Sequence, residues 1–457
     1  MTIPLRAAAY ARLIVPAVAF VAALTLRIRG IDRHFWMLGD QIRDWSLALG
    51  PFSDLPLVGP ATHVGGYTIG PAFYWILWLI RLTFGPWFDN LPHAGGIGQA
   101  ALQSAADAFL LYAIWQRTRS VWIALATTVL LVTAAYDLCL SALVWNPMMG
   151  AALVKIATAL ILLDWPSRSK TGVVVTAAVA WCAVHSYTGA IFAVLGIFAA
   201  MAAPPLIHRD WRGTARTVAL IAAVVAVLQI PLIVHQVSTG FRQRAMGAVT
   251  GSLGRVVSGE ASPQLAKSWK GFSGAFTFIQ GAPSTADWQI WLLVASAAVV
   301  AFRYRRDVPL LSVTLLPPLL AVIGYALYVG DFLDSYYYFS LMPAAVLTLV
   351  LGLTSAPWPR VSGALGALVL IAAVSRTPAR LDYAATMHRM PEYGVLVDAS
   401  RRAVAQHYPL RAVVTDFPLQ PTVDSGFIYR ILGGRLSRDA TVIAVISRDG
   451  SVSYRRN

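Results

Sequence analysis

Two carboxylates in one loop are the residues of this sequence whose type and spacing could support chemistry. Asp40 and Asp44 lie in the segment GIDRHFWMLGDQIRDWSLALGPFSDLPLVGPATHVGGYTIGP, which separates the first apolar run from the second. A spacing of four residues places both carboxylates on one face of a helix. They lie where a chain leaving a bilayer first meets water, so the pattern predicts a general base at a membrane surface.

The elements that must position these acids are apolar helices. Hydrophobic residues make up 57% of the 457 residues, charged residues make up 12%, and the mean hydropathy is +0.63. A chain of this composition needs lipid as its solvent and is predicted to be a polytopic membrane protein. The net charge of +15 comes from arginines scattered over the loops, which is typical of the positive-inside rule and does not indicate nucleic-acid binding.

Apolar runs of membrane-spanning length predict about 11–13 transmembrane helices. The candidate spans are residues 12–28, 71–88, 98–115, 121–136, 150–164, 172–185, 188–204, 216–235, 289–303, 308–328, 336–354 and 361–375. The run 71–88 is the weakest because Arg81 interrupts it, and a re-entrant or interfacial helix is the alternative there. No small-residue cleavage pattern follows the first run, which predicts an uncleaved first helix in a bacterial inner membrane.

Charge in the connections predicts the orientation. The basic connections 116–120, 164–170, 208–216 and 303–307, together with Arg360, are expected in the cytoplasm. The first outer loop 30–70, the long loop 236–288 and residues 376–457 are then extracytoplasmic. Residues 1–375 form the predicted transmembrane domain.

Residues 376–457 predict a small extracytoplasmic α/β domain. The segments AVVTDF, GFIYRIL and TVIAVIS are separated by turns, as in a set of short strands, and RDG before SVSYR predicts a hairpin. Residues 395–408 have the apolar spacing of an amphipathic helix. Cys139 and Cys182 lie in or beside apolar runs and are predicted to be core residues without a disulfide.

Polar and aromatic residues of the outward-facing segments are candidates for binding a substrate with a polar head and a lipid tail. The candidates for donor phosphate are arginines, since guanidinium groups bind phosphate through charge-assisted hydrogen bonds: Arg43, Arg81, Arg242 and Arg244. The candidates for other parts of the substrate are His63, Tyr67, Asn146, His185, Tyr187 and Tyr337. Simpler roles are open for all of them: structural histidines, an interfacial aromatic belt, and a basic loop that touches lipid headgroups.

Four blocks of sequence, in order, resemble uncharacterised bacterial members of the C-type glycosyltransferases (GT-C), the group that contains the protein O-mannosyltransferases and the lipid A aminoarabinose transferase. The blocks are GDQIRDWSLAL, GPATHVGGYTIGPAFYW, VWNPM and HSYTGAIFAV, and the resemblance covers roughly residues 30–200. It implies a GT-C-like transmembrane fold and an inverting enzyme that moves a sugar from a polyprenyl-phosphate donor to an extracytoplasmic glycan, lipid or protein.

The same resemblance implies that an acid of the first outer loop is the catalytic residue, and this acid falls on Asp40. Related enzymes show an Asp-Glu pair where this chain has Asp40-Gln41, which leaves a second catalytic role to Asp44 or to another acid. The simpler role of Asp44 is a helix-surface carboxylate paired with Arg43.

The sequence leaves open whether a metal ion is bound and whether the protein has one of two other functions. No spacing indicates a zinc or iron site, and a divalent cation, Mg or Mn, held by Asp40, Asp44 and a lipid phosphate is left open. A lipid-linked glycan ligase or polymerase would depend on arginine and histidine rather than on Asp40. A lipid or solute transporter is the other alternative, but Asp107 and Lys155 are the main ionisable residues inside the spans, and coupled transporters usually need several.

Overall fold

The apolar runs form helices in the described residues up to residue 387. The computed structural model describes residues 5–31, 39–61, 67–241, 244–277, 288–328, 334–387, 392–406, 409–418 and 424–456. The helices of the bundle are α1 Leu5–Ile28, α2 Gly39–Ala48, α3 Ala72–Phe84, α4 Pro92–Thr118, α5 Val121–Val132, α6 Ala135–Leu140, α7 Asn146–Leu162, α8 Trp165–Arg168, α9 Lys170–Ser186, α10 Ile191–Ile207, α11 Trp211–Ser238, α12 Arg244–Val257, α13 Leu265–Thr277, α14 Trp288–Arg303, α15 Val308–Thr314, α16 Leu316–Ala326, α17 Met342–Leu353, α18 Pro359–Ser375 and α19 Thr377–Met387. Short 3-10 helices cover Phe52–Asp54, Thr188–Ala190 and Ser335–Leu341.

Several of these helices are suited to a membrane by length and composition. Five segments of the described chain are long and apolar enough to cross one, and the pair α15 and α16, bent by 43°, makes a sixth. The five are Tyr10–Ile28, Thr188–Ile207, Trp211–Ser238, Ser335–Leu353 and Pro359–Thr386. Helices α3, α5, α7 and α14 are apolar but shorter. All the candidate spans of the sequence fall on helices, so the expected polytopic helical fold is confirmed.

Helix α3 corresponds to the weakest candidate span, residues 71–88. Its 13 residues extend about 20 Å at ~1.5 Å per residue, which is less than the ~30 Å of a hydrocarbon core. One face of the helix is buried against α2, α4 and α9. Its length therefore agrees with an element that enters the bilayer without crossing it.

Helix α4 connects the two ends of the bundle. Near its start a Cβ on Gly95 would lie 2.8 Å from the Trp45 ring, so only glycine allows α2 to approach this closely. Arg117 follows 22 residues later, about 33 Å away at ~1.5 Å per residue. This distance is close to one hydrocarbon thickness. The end that carries α2 and the end that carries Arg117 therefore lie at opposite faces of the bundle.

Three basic connections meet at the Arg117 end. Arg117 Nη1 donates to the Asp164 carboxylate at 2.8 and 3.0 Å, and Arg117 Nη2 donates to Asp307 at 2.5 Å. These contacts join the connections 116–120, 164–170 and 303–307, which the charge pattern had assigned to one side of the membrane.

The C-terminal residues form a small mixed α/β unit. Its elements are α20 Glu392–Ala405, β1 Ala412–Thr415, α21 Ser425–Ile431, β2 Val442–Ile446 and β3 Val452–Arg456. The sheet order is β1-β2-β3, with β1 parallel to β2 and β2 antiparallel to β3. The predicted amphipathic helix and the predicted hairpin are both present.

One expectation for this unit was wrong, because GFIYRI is the helix α21 and not a strand. Asp424 caps the helix by accepting a hydrogen bond from the Phe427 amide at 3.1 Å. Ser425 donates to the Val413 carbonyl at 2.6 Å, which fixes the helix against β1. An apolar run this short is compatible with a helix or a strand, and the cap and the packing decide between them.

The C-terminal unit contacts the end of the bundle that carries α2. Arg401 of α20 forms an ion pair with Asp89, just before α4, and the Tyr393 ring lies edge-on to His93 with centroids 5.6 Å apart. Helix α19 packs on the bundle, where Arg380 donates to Thr133 Oγ1 at 2.6 Å.

Candidate active site

Helix α2 places its two acids in different environments. Asp40 lies in the first turn, where the helix dipole favours a negative charge, and its side chain is 63% exposed. Asp44 lies one turn later with only 2% of its side chain exposed. Asp40 is therefore the carboxylate that a substrate can reach, and Asp44 belongs to the packed interior.

Arg43 connects the two acids. Its Nη1 donates to Asp40 Oδ1 at 3.0 Å, and its Nε donates to Asp44 Oδ1 at 2.8 Å. Tyr74 of α3 donates its hydroxyl to the same Asp44 oxygen at 2.9 Å. Burial raises the pKa of Asp44 above its ordinary value, while the hydrogen bonds from Arg43 and Tyr74 act in the opposite direction. The buried carboxylate thus holds the guanidinium beside Asp40.

Other residues fix the far end of α2. Trp45 Nε1 donates to the Asn90 carbonyl at 2.7 Å, and Arg81 Nη1 donates to the Leu49 carbonyl at 2.7 Å. A cation at this position also suits the negative end of the helix dipole. Arg81 lies two helical turns beyond Tyr74 along α3, about 10 Å at ~1.5 Å per residue. Of the arginines predicted to bind donor phosphate, Arg43 is the one that the described structure places at the acids.

Aromatic side chains form a second group, which we call the aromatic cluster: Trp145, Tyr187, Tyr325, Tyr336 and Tyr337. The rings of Tyr336 and Tyr337 stack at 4.5 Å, and those of Trp145 and Tyr336 lie 5.5 Å apart. Tyr187 lies 6.4 Å from Tyr337, and the Tyr325 hydroxyl donates to the Tyr337 carbonyl at 3.2 Å. These contacts join the start of α7, the end of α9, α16 and the 3-10 helix before α17.

Helix α4 relates α2 to the aromatic cluster. The Trp45 ring of α2 lies against Gly95 near the start of α4, and one turn later Gln99 donates to the Trp145 carbonyl at 2.9 Å. Apolar and aromatic walls with a few convergent polar groups are typical of sites for small organic ligands. The structure thus brings the predicted base and the predicted aromatic residues to the same end of the bundle.

His185 is fully buried at the end of α9. Its Nε2 shares a hydrogen bond with Gln229 Oε1 at 3.0 Å, and its Nδ1 has no hydrogen-bond partner among the described residues. A Cβ at Gly70 would lie 2.3 Å from the imidazole Cε1, so the loop before α3 passes directly over the ring. The His185 ring therefore packs against the loop that contains Gly70. A role of His185 in substrate binding stays a proposal.

Asn146 and Tyr67 hold elements together around the aromatic cluster. Asn146 begins α7 and donates to the Ser186 carbonyl at 3.1 Å. The Tyr67 ring packs edge-on against His235 of α11 at 5.6 Å. Tyr187 is buried, and its hydroxyl has no hydrogen-bond partner among the described residues. A buried hydroxyl in this state has a donor left for a ligand or a water molecule.

Three of the predicted site residues cannot be placed. His63 and Arg242 lie outside the described residues, and Arg244 is described only by its backbone, as the first residue of α12. The roles predicted for them stay predictions.

Gln41 and Tyr74 belong to the site but were not identified from the sequence. Gln41 is 1% exposed, and neither atom of its amide has a hydrogen-bond partner within the described chain. Leaving such atoms unpaired costs about 1–3 kcal/mol each, which points to a ligand or water at this position. The available signal was helical spacing, because Gln41 precedes Asp44 and Trp45 by three and four residues on the buried face of α2.

The fit of a divalent cation can be tested at the two acids. Within the described residues no group of three or more His, Cys, Asp or Glu side chains has the arrangement of a metal site. Arg43 lies between Asp40 and Asp44 and bonds to both, so a cation shared by these two carboxylates does not fit this arrangement.

Four charged side chains are buried in the bundle and form what we call the buried charge cluster: Arg27, Asp107, Asp137 and Lys155. Arg27 contacts Asp107 at 2.5 Å and Asp137 at 2.6 Å. Lys155 Nζ lies 2.7 Å from Asp107 and 3.4 Å from Asp137. Each side chain is at most 2% exposed, and the two cations balance the two anions. The sequence had indicated only Asp107 and Lys155 as ionisable residues inside the predicted spans.

Glutamines of α4 link the buried charge cluster to the site. Gln103 accepts from Lys155 at 3.0 Å and donates to the Met148 carbonyl at 2.5 Å. One turn earlier, Gln99 donates to the Trp145 carbonyl at 2.9 Å. The cluster is neutral and closed to solvent, which suits a packing role for the helices beneath the aromatic cluster.

The fold of the chain is similar to that of solved structures that share only 13–14% of its sequence. Similar solved structures include the archaeal oligosaccharyltransferase AglB from Archaeoglobus fulgidus in complex with an inhibitory peptide and a dolichol-phosphate, at 14% identity and a TM-score of 0.53 over 94% of this chain and 64% of that one. ArnT from Cupriavidus metallidurans in the apo state is 13% identical, with a TM-score of 0.52 over 94% of this chain and 86% of that one. This chain therefore spans slightly less than two thirds of the archaeal enzyme. No protein-family model matches the sequence, and no characterised protein matches it in sequence.

Proposed function

We propose that this protein is an integral-membrane inverting glycosyltransferase, a hexosyl- or pentosyltransferase that uses a polyprenyl-phosphate sugar. The acceptor is an extracytoplasmic glycan, lipid or protein, and the site faces the periplasmic side of a bacterial inner membrane. The observation that carries the proposal is the pairing of an exposed carboxylate, Asp40, with a guanidinium, Arg43, at 3.0 Å. The fold supports it, since AglB was solved with a lipid phosphate, dolichol-phosphate.

The chemistry requires a base and compensation of phosphate charge. The acceptor oxygen attacks the anomeric carbon while its proton passes to Asp40, and the bond from that carbon to the phosphate oxygen breaks. Polyprenyl phosphate leaves with the bonding electrons, and the configuration at the anomeric carbon inverts. Arg43 is suited to the phosphate because a guanidinium forms paired, charge-assisted hydrogen bonds with it.

Asp44 and Tyr74 act as positioning residues in this scheme. Asp44 is buried and accepts from Arg43 Nε, while Nη1 of the same guanidinium donates to Asp40. A base and a cation held in this way need little rearrangement during the reaction. The aromatic cluster supplies the apolar wall against which a sugar ring or an isoprenoid chain can pack.

Asp40→Asn is the decisive variant, with Asp54→Asn as its matched control. Asp54 is an exposed carboxylate of the same outer segment and lies in the 3-10 helix Phe52–Asp54. We expect Asp40→Asn to lose about 100-fold or more in single-turnover release of polyprenyl phosphate, because general base catalysis contributes about 10²–10⁴-fold. Donor binding should persist, and the control should retain wild-type rates.

Two results would reject the proposal. Undiminished turnover in Asp40→Asn would favour a ligase or polymerase that depends on arginine and histidine. Substrate movement across vesicles by the Asp40→Asn protein, without sugar transfer by the wild type, would establish a transporter.

A further inference from the structure

A cavity lies at the end of the bundle opposite to Asp40. It has a volume of about 670 Å³ and opens between the last turns of α4 and α7 and the short helix α8. Its walls combine apolar side chains, Phe109, Leu160 and Leu163, with the guanidinium groups of three arginines, Arg117, Arg119 and Arg168. The proposed glycosyl transfer uses none of these residues.

The three arginines differ in whether a carboxylate pairs with them. Arg117 is paired with Asp164 and with Asp307. Arg119 and Arg168 are exposed and have no ion pair or side-chain hydrogen bond within the described parts of the chain. Two uncompensated cations therefore face a cavity with an apolar wall, which is the arrangement that an anionic group attached to an apolar chain would fill.

The position of the cavity selects the kind of ligand. Arg117 lies about 33 Å along α4 from the residue that contacts α2, at ~1.5 Å per residue, so the cavity is at the opposite membrane interface. Tyr112 and Trp165 line it, and such side chains concentrate at the level of lipid headgroups. A donor bound at Asp40 could not place its phosphate here.

We propose that this cavity binds the phosphate group of an anionic phospholipid, with Arg119 and Arg168 at the phosphate and the apolar wall along an acyl chain. Basic pockets between membrane helices on the cytoplasmic side recognise such headgroups. The site is separate from the transferase site and does not depend on the proposed reaction. Bound lipid would hold α4, α7 and α8 together at this end of the bundle.

The test compares two double variants that lose the same charge. Arg119→Asn with Arg168→Gln removes the cations of the cavity, and asparagine suits residue 119 because its φ of 59° is left-handed. Arg212→Asn with Arg216→Gln is the control, since both arginines are exposed and lie at the start of α11. Binding of phosphatidylglycerol to the full-length protein is measured by native mass spectrometry, and its effect on Tm is measured in micelles.

We expect the cavity variant to bind phosphatidylglycerol about 10- to 30-fold more weakly than the wild type, and the control to bind it normally. The lipid should raise Tm of the wild type and of the control but not of the cavity variant. Displacement of the lipid by millimolar inorganic phosphate would assign the same arginines to a soluble phosphate compound. Equal losses in both variants, or no loss in either, would overturn the proposal.

Discussion

Replacing Asp137 by Asn removes one charge from the buried charge cluster and keeps the size of the side chain. Asp137 accepts from Arg27 Nε at 2.7 Å and from Ser141 at 2.9 Å, and it lies 3.4 Å from Lys155. The variant leaves two buried cations facing one buried anion. Breaking a buried ion pair on one side costs about 3–5 kcal/mol, and the loss here belongs at the upper end of that range because both cations are affected.

The stability loss of Asp137→Asn can be compared with that of Asp107→Asn, which removes the other anion of the buried charge cluster. Asp107 contacts the same two cations but accepts no hydrogen bond from a serine of the described chain, so Asp107→Asn should cost less than Asp137→Asn. Adding Lys155→Gln to Asp107→Asn restores neutrality and leaves the pair of Arg27 with Asp137. The double variant should therefore lose at least ~1 kcal/mol less than the sum of its two single variants.

The assay is reversible unfolding in mixed micelles with increasing dodecyl sulfate, followed by tryptophan fluorescence and circular dichroism. Asp382→Asn is the control, because Asp382 is exposed on α19 and its replacement should change stability by no more than ~0.5 kcal/mol. If Asp137→Asn behaves like this control, or if the double variant shows the full sum of its single losses, the four charges do not form one energetic unit and the reasoning fails.

Two further predictions concern the site. Tyr74→Phe removes a hydrogen bond that favours the ionised form of Asp44, so the pKa of this carboxyl, already raised by burial, should rise further. The ionised Asp44 carboxylate holds Arg43 in place, so the acidic limb of the pH–rate profile should move to higher pH. An unchanged acidic limb would contradict the positioning role of Tyr74 and Asp44. Gly70→Ala would place a methyl group 2.3 Å from the His185 ring and should lower both activity and Tm. The control is Gly394→Ala, because Gly394 lies in helix α20 and a Cβ there would have no atom within 4 Å. This control should leave stability unchanged or raise it by ~0.5–1 kcal/mol. Equal Tm values for the two alanine variants would show that the loop is not packed against the histidine.

Local sequence was sufficient for the helices and for the place of the acids. Each long apolar run became a helix because the backbone must satisfy its own hydrogen bonds in lipid. The amphipathic helix and the hairpin near the C-terminus followed from spacing and turn residues in the same way. By their spacing a helix would place Asp40 and Asp44 on one face; α2 is a helix there, but Asp40 is exposed and Asp44 is buried.

Tertiary contacts decided what each acid does. Helical spacing places Asp44 beside Gln41 and Trp45 on one face of α2, but its partner Tyr74 lies 30 residues later in the chain. Arg81 belonged to the expected phosphate site, yet in the structure it bonds the end of α2. The helix α21 was mistaken for a strand because its contact with β1 is not visible in its own seven residues.

The sequence by itself determined that this chain is a membrane protein, and it determined the positions of its helices. It also identified the loop that carries an exposed carboxylate. These features depend on the polarity of residues that are neighbours in the chain. Only the tertiary structure decided that Arg27 meets Asp137 across 110 residues and that Arg43 is held between two acids. A buried charge is stable only with its partner nearby, and partners distant in sequence are brought together by packing.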